Sequence, residues 1–411
     1  VAAEVCLRTV VEDMVAAGSL RAQRLKVAAA NPAILDTLTG EGVLVLTNAK
    51  RSVCFRHHLL FDYVTSRVFL DPDDVASGRV PFPKAKGLGL VLAPAMGFLL
   101  QALWVDDSDH RRFWTAIGNL LSAPNCDPII RSIAARIAAE LPAESADVDV
   151  FAAKINGGSP NAVAAFPHVA GAMAVRLEDE PSVPLAPWVH LEFALSTQPE
   201  PIIGVLRMMG FMLVQRVQDA TLRAKLGSAV RALLNYGFTL DDSQILATPA
   251  IGFVSDTITT DVSASVALLR QVLSKGRFDR FAHQELPALA RKIGQIAPAS
   301  PGFAVEVYQS AFGGKVTENR QTSMSGSRIL NLTSNAKQDF EMARWSLKVY
   351  FSRFLPASPV EATEALIKAI EGYVARVHPR SEYLEELSFT VDGTAVHLQP
   401  DHSHIWAHDP H

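Results

Sequence analysis

Apolar residues recur at helical spacing from Ala2 to Ala17, with Val5, Val10, Met14 and Val15 on one face and Gly18 closing the run. Asn31 followed by Pro32 predicts a new helix start, because asparagine caps free N–H groups and proline has none to leave unpaired. That helix covers Pro32 to Leu38 and is broken by Gly40, Glu41 and Gly42. Two short β-type runs follow, Val43 to Leu46 and Ser52 to Phe55, around a polar turn from Thr47 to Arg51, and another helix starts near His57. Helix, glycine turn, hairpin and helix in this order form the pattern of a winged helix over residues 1–70.

Beyond it the period is helical almost throughout. Residues 71–83 shift to Asp, Pro, Gly and Lys and read as a linker. Helices are then predicted at Arg111–Leu121, Asp127–Leu141, Val148–Ile155, Ala162–Val175, Ala186–Ser196, Pro201–Val217, Ala220–Tyr236, Ser243–Asp256, Ser263–Leu273 and Leu286–Ile296. Helices of this length joined by short turns predict an α-solenoid of the HEAT or armadillo sort over residues 84–300, without a recognisable repeat motif. Residues 301–411 form a last region. It holds helices at Pro301–Phe312, Ala336–Phe354 and Ser358–Val377, and a long polar loop from Gly313 to Asn335. A terminal hairpin turns at Asp392-Gly393 between Leu387–Val391 and Thr394–Leu398. The fold class expected is mainly α, with a small α/β segment at the C-terminal end.

One stretch needs a membrane test. Gly87 to Val105 is uncharged and nearly long enough to span hydrocarbon. Pro94, Gln101 and three glycines inside it predict instead a buried helix pair broken at Pro94. Of the 411 residues, 49% are hydrophobic and 19% charged, a composition that folds. The chain starts at Val1 with neither an initiator Met nor a leader pattern and is expected to be an internal piece of a longer protein. A net charge of −4 argues against general affinity for nucleic acid. Three scattered cysteines, Cys6, Cys54 and Cys126, fit a reducing compartment, so the expected location is cytoplasmic.

Three kinds of chemistry were weighed. Gly313-Gly314-Lys315 fails as a phosphate loop, since Gln309 and Val316 stand where the motif needs glycine and Ser or Thr. The histidines His402, His404 and His408, amid Asp401 and Asp409, are candidate ligands for zinc, which would make the chain a metal-binding enzyme fragment. No H-E-x-x-H helix or paired cysteines organise them. A winged helix can read DNA, but Pro32–Leu38 offers no Arg, Lys, Asn or Gln for base edges, and Lys50 and Arg51 are the basic residues of the wing. No G-x-S-x-G elbow is present, so a serine nucleophile has no candidate.

The run Phe55-Arg56-His57-His58-Leu59-Leu60-Phe61-Asp62-Tyr63, after a Gly-Val-Leu hairpin, resembles the end of the winged-helix region in STAND-type NTPases, the signalling ATPases related to NACHT and NB-ARC proteins. Many bacterial members carry F-x-H-x-L-x-x-x-Y there, before a helical-repeat sensor. Val307 to Phe354 is similar in texture to the far helical region of large bacterial ATP-binding proteins. The resemblance implies a non-catalytic sensor portion following a nucleotide-binding domain that takes ATP or ADP with Mg. It implies a protein or other macromolecular trigger, homo-oligomerisation and a role in defence against phage, with no membrane partner. It also implies that His57 can contact the nucleotide phosphates. His58 departs from the acidic residue common in relatives, and the alternative is that His57 packs or caps its own helix.

Overall fold

The computed structural model describes residues 2–79, 89–180, 182–197, 199–239, 244–273, 282–313, 336–377, 387–391 and 394–398. It is mainly helical, with twenty α-helices among the described residues and a small antiparallel sheet near the N-terminal end. The chain divides into two compact units, Val1–Met209 and Gly210–His411. The division falls within the stretch 84–300 that the sequence reads as one helical array.

The first unit begins with α1 (Ala2–Ala17), whose buried face is Cys6, Val10, Val11 and Met14. Val5, expected on that face, is exposed instead, because the helix turns its Cys6–Val10 side inward. Gly18 ends α1 with a φ of +57°, a left-handed turn that glycine takes without the Cβ penalty. A strand and a helix that the sequence reading missed follow: β1 (Ala22–Gln23) and α2 (Arg24–Ala30). Then come α3 (Pro32–Gly40), β2 (Leu44–Thr47), β3 (Ser52–Phe55) and α4 (His58–Val68). Asn31 caps α3 as expected, its side chain accepting from the Ile34 N–H at 3.2 Å with Pro32 in the first turn. Gly40 is the last helical residue, and the break comes at Gly42, with a φ of +72°.

The sheet runs β1-β3-β2, fully antiparallel, with Leu44 opposite Phe55 and Ala22 opposite Val53. Leu44, Val53 and Phe55 bury against the helices. At the hairpin tip Asn48, Ala49 and Lys50 all take positive φ, at 53°, 50° and 65°. For Ala49 and Lys50 such a backbone costs on the order of 1 kcal/mol each.

The stretch expected to be a linker contains α5 (Pro72–Ala76), anchored by buried Val75 and by the Asp71 side chain on the Asp73 N–H. The helix pair expected across Pro94 is a single helix, α6 (Gly89–Asp106). Pro94 sits early in the helix, so the carbonyl that it leaves without a helical N–H is that of Leu90, an exposed residue. Among the described residues α6 is the one helix long and apolar enough to cross a membrane, and half of it is buried within the fold.

The unit continues with α7 (Arg111–Ser122), α8 (Pro128–Glu140), α9 (Asp149–Asn156), α10 (Pro160–Asp179), α11 (Ala186–Leu195) and the start of α12 (Ile203–Arg216). Its centre is aromatic, with Trp114 stacked on Phe151 at 4.4 Å and Phe113, Phe166 and Trp188 fully buried. Burying such rings is worth about 2–3 kcal/mol each. The packing is sequential. Helix α4 lies on α6, α5 on α7, α6 on α8, α7 and α8 on α10, and α9 on α11.

The second unit holds α13 (Ala220–Gly237), α14 (Gln244–Asp256), α15 (Val262–Leu273), α16 (Ala282–Arg291), α17 (Ile293–Ala299), α18 (Pro301–Gly313), α19 (Ala336–Ala357) and α20 (Pro359–Val377). The single helix expected over Leu286–Ile296 is split at Lys292, whose N–H reaches only back to the Leu289 carbonyl and whose ammonium is held by Asp256 at 2.7 and 2.8 Å. Packing again steps forward, α14 on α16, α16 on α19 and α18 on α20. Tyr308 donates to the Leu347 carbonyl and Arg344 to the Ala311 carbonyl, tying α18 to α19. Strands β4 (Leu387–Val391) and β5 (Thr394–Leu398) pair antiparallel in the expected register. The loop 314–335 and the turn at 392–393 lie outside the described residues.

Candidate functional site

His57 stands at the junction of β3 and α4. Its backbone is extended, at φ −131° and ψ 141°, and its carbonyl accepts from the Leu60 and Phe61 N–H groups, so it occupies the N-cap position. Its side chain makes no capping hydrogen bond and is exposed. His57 therefore occupies the cap through its backbone, with its side chain exposed at the start of α4.

Around it, Leu59 and Tyr63 are exposed one turn apart, and Tyr63 meets Phe98 of α6 edge-on at 6.0 Å while Arg67 lies 5.5 Å over its ring. Asp62 closes the group. Burial pushes its carboxyl above the usual range, and the nearby His58 works in the opposite direction. Helix α4, which joins the small sheet to α6, thus carries His58 beside Asp62 on one side and Tyr63 beneath Arg67 on another. These side chains can donate to an anion and bury apolar contact, but they include no nucleophile.

The candidate zinc ligands His402, His404 and His408 lie outside the described residues. Among the described residues no group of three or more His, Cys, Asp or Glu is placed to hold a metal ion.

Several chemically loaded groups escaped the sequence reading. His110 sits left-handed at φ +53° between α6 and α7, its ring stacked on Trp104 at 3.6 Å and nearly parallel. Its Nδ1 is 3.0 Å from the Trp104 carbonyl and its Nε2 3.4 Å from Asp147 Oδ1. Asp147 also accepts the Ala143 and Glu144 N–H groups, and its carbonyl receives the Trp114 indole N–H at 2.7 Å. His190 and Asp149, 2.6 Å apart, tie α11 to α9 in the same way. Both pairs act as clasps between helices.

Among the described residues two carboxyls are buried without a hydrogen-bond partner, Glu192 on α11 and Glu285 on α16. Burial raises Glu192 well above the usual carboxylate range and Glu285 to about 8, because an ionised carboxylate in an apolar interior loses its hydration. Burial thus favours the neutral form of both carboxyls. In sequence Glu192 is visible as one charge within the apolar run Trp188 to Leu195, a signal that went unused. Comparison with protein-family models, curated proteins and solved structures found no match to this chain.

Proposed function

We propose that this chain is the non-catalytic regulatory portion of a STAND-like ATPase: a winged-helix unit followed by a helical-repeat sensor. The observation that carries the reading is the element order α1-β1-α2-α3-β2-β3 with β3 central, which is the full order of strands and helices in a winged helix. Helix α4 then leads directly into helices that pack on those one to three further along, the nearest-neighbour packing of a repeat array. On this reading the array recognises a macromolecular trigger in the cytoplasm, and the winged helix couples recognition to nucleotide exchange and oligomerisation of the parent, with anti-phage defence as the biological setting.

The exposed ring of His57 supports a coupling role over a DNA-reading one. The helix that would enter a groove, α3, has the sequence PAILDTLTG, without a cation. His57 would meet a nucleotide phosphate from a domain preceding Val1, donating one hydrogen bond. The test is the natural gene product in full. The result expected is a Walker A lysine and a strand ending in an acidic residue in sequence preceding Val1, and about tenfold faster release of bound ADP in His57→Ala, the loss of one charge-assisted bond of roughly 1.4 kcal/mol. Absence of the Walker A motif sinks the proposal, and unchanged release removes His57 from it.

A further inference from the structure

We propose that the exposed face of α19 is a homodimer seam, on which a second copy of this chain lays its own α19 antiparallel across a two-fold axis. Met342, Trp345 and Val349 are 45%, 67% and 58% exposed, although each is a large apolar side chain. They fall at i, i+3 and i+7, so they form a single narrow stripe along the helix, the spacing with which one helix seats on another. The opposite face is already used. Ala343, Leu347, Phe351 and Phe354 are buried, and Arg344 and the Leu347 carbonyl bond to α18.

The stripe complements itself. With the axis between Trp345 and Ser346, Met342 meets Val349 of the second copy, and each Trp345 lies over the other copy's Ser346. That serine is small, and its hydroxyl is turned back onto the Met342 carbonyl of its own helix at 3.0 Å, so it leaves a shallow seat for an indole. The charges agree with the antiparallel direction. Glu341 is exposed at the N-terminal end of the stripe, even while it holds Arg344, and Lys348 and Arg353 stand toward the other end. An antiparallel copy brings the acidic end of each stripe beside the basic end of the other, whereas a parallel copy sets like against like. An isologous contact of this kind closes on itself and stops at two chains. The inference rests on α19 alone and stands or falls separately from the regulatory-ATPase reading.

The experiment is sedimentation equilibrium of this chain between about 1 and 100 µM, the range in which a small interface associates. The expected result is a monomer–dimer equilibrium. Trp345→Glu weakens it by about thirtyfold or more, the loss that follows removal of a central aromatic anchor. Val175→Glu, on an exposed apolar position of the other unit, leaves it unchanged. The paired substitution Lys348→Glu with Arg353→Glu weakens the dimer, and adding Glu341→Lys restores it, a rescue that only antiparallel self-pairing gives. Circular dichroism keeps every variant interpretable. A monomer across the whole range, association indifferent to Trp345→Glu, or failure of the charge rescue each overturns the proposal.

Discussion

Replacing Glu285 by methionine removes a buried ionisable group while nearly keeping its volume. The carboxyl has an ordinary value of 4.5 and is pushed to about 8 in the folded chain. Below pH 4.5 both folded and unfolded chains hold the proton, and the group adds no pH-dependent cost. As pH rises the unfolded chain releases it while the folded chain keeps it, so stability falls by about 1.4 kcal/mol per pH unit until about pH 8. The whole pH-dependent penalty is roughly 5 kcal/mol, most of it accrued by pH 7. Glu285→Met abolishes it. The stability difference between the variant and the parent chain, from urea unfolding followed by far-ultraviolet circular dichroism, therefore grows by roughly 3–4 kcal/mol between pH 4.5 and pH 7, on top of a pH-independent offset. Glu192, shifted in the same direction, is present in both proteins and cancels. A difference that stays constant between pH 5 and pH 8 refutes the assignment of Glu285 as a buried neutral acid.

Substitutions at three other positions probe the geometry. At His110, alanine loses the Trp104 stack and both ring contacts while keeping a left-handed backbone, and glycine loses the same contacts but relieves the backbone. Thermal unfolding is expected to rank the parent above His110→Gly and His110→Gly above His110→Ala, the last two separated by about 1 kcal/mol. Gly372→Ala places a methyl into the Gly313 nitrogen and the Phe312 carbonyl carbon, where α20 crosses α18, and lowers stability by about 1–3 kcal/mol in chemical denaturation. Asn31→Ala leaves the Ile34 N–H without its cap and costs about 1 kcal/mol, with the loss visible as faster amide exchange in the first turn of α3.

Most helices were legible because caps and periodicity are local. Asp127, Asp219 and Asp261 each accept an N–H two or three residues ahead, at 2.9 Å, and each precedes a helix that the pattern predicts. Strand β1 was not legible, since two residues carry no period and their pairing depends on Ser52 and Val53, some thirty positions away. The proline in α6 misled for a related reason. Its cost depends on which carbonyl it strands, and here that carbonyl belongs to Leu90, the second residue of the helix. The His110 clasp spans 37 residues to Asp147 and the burial of Glu285 depends on helices α14 and α19, so neither leaves a mark within one window of sequence. His57 was singled out by resemblance, and the structure adds that its ring is exposed at the head of α4.

In the proposed function a winged-helix unit passes a trigger's signal to a nucleotide domain. Its most direct test is the adenine nucleotide released on denaturing the full natural gene product, quantified by chromatography against protein concentration. About one ADP or ATP per chain is the result the account predicts. A full-length protein that is folded, binds no adenine nucleotide in the presence of magnesium and lacks any phosphate-loop motif contradicts it.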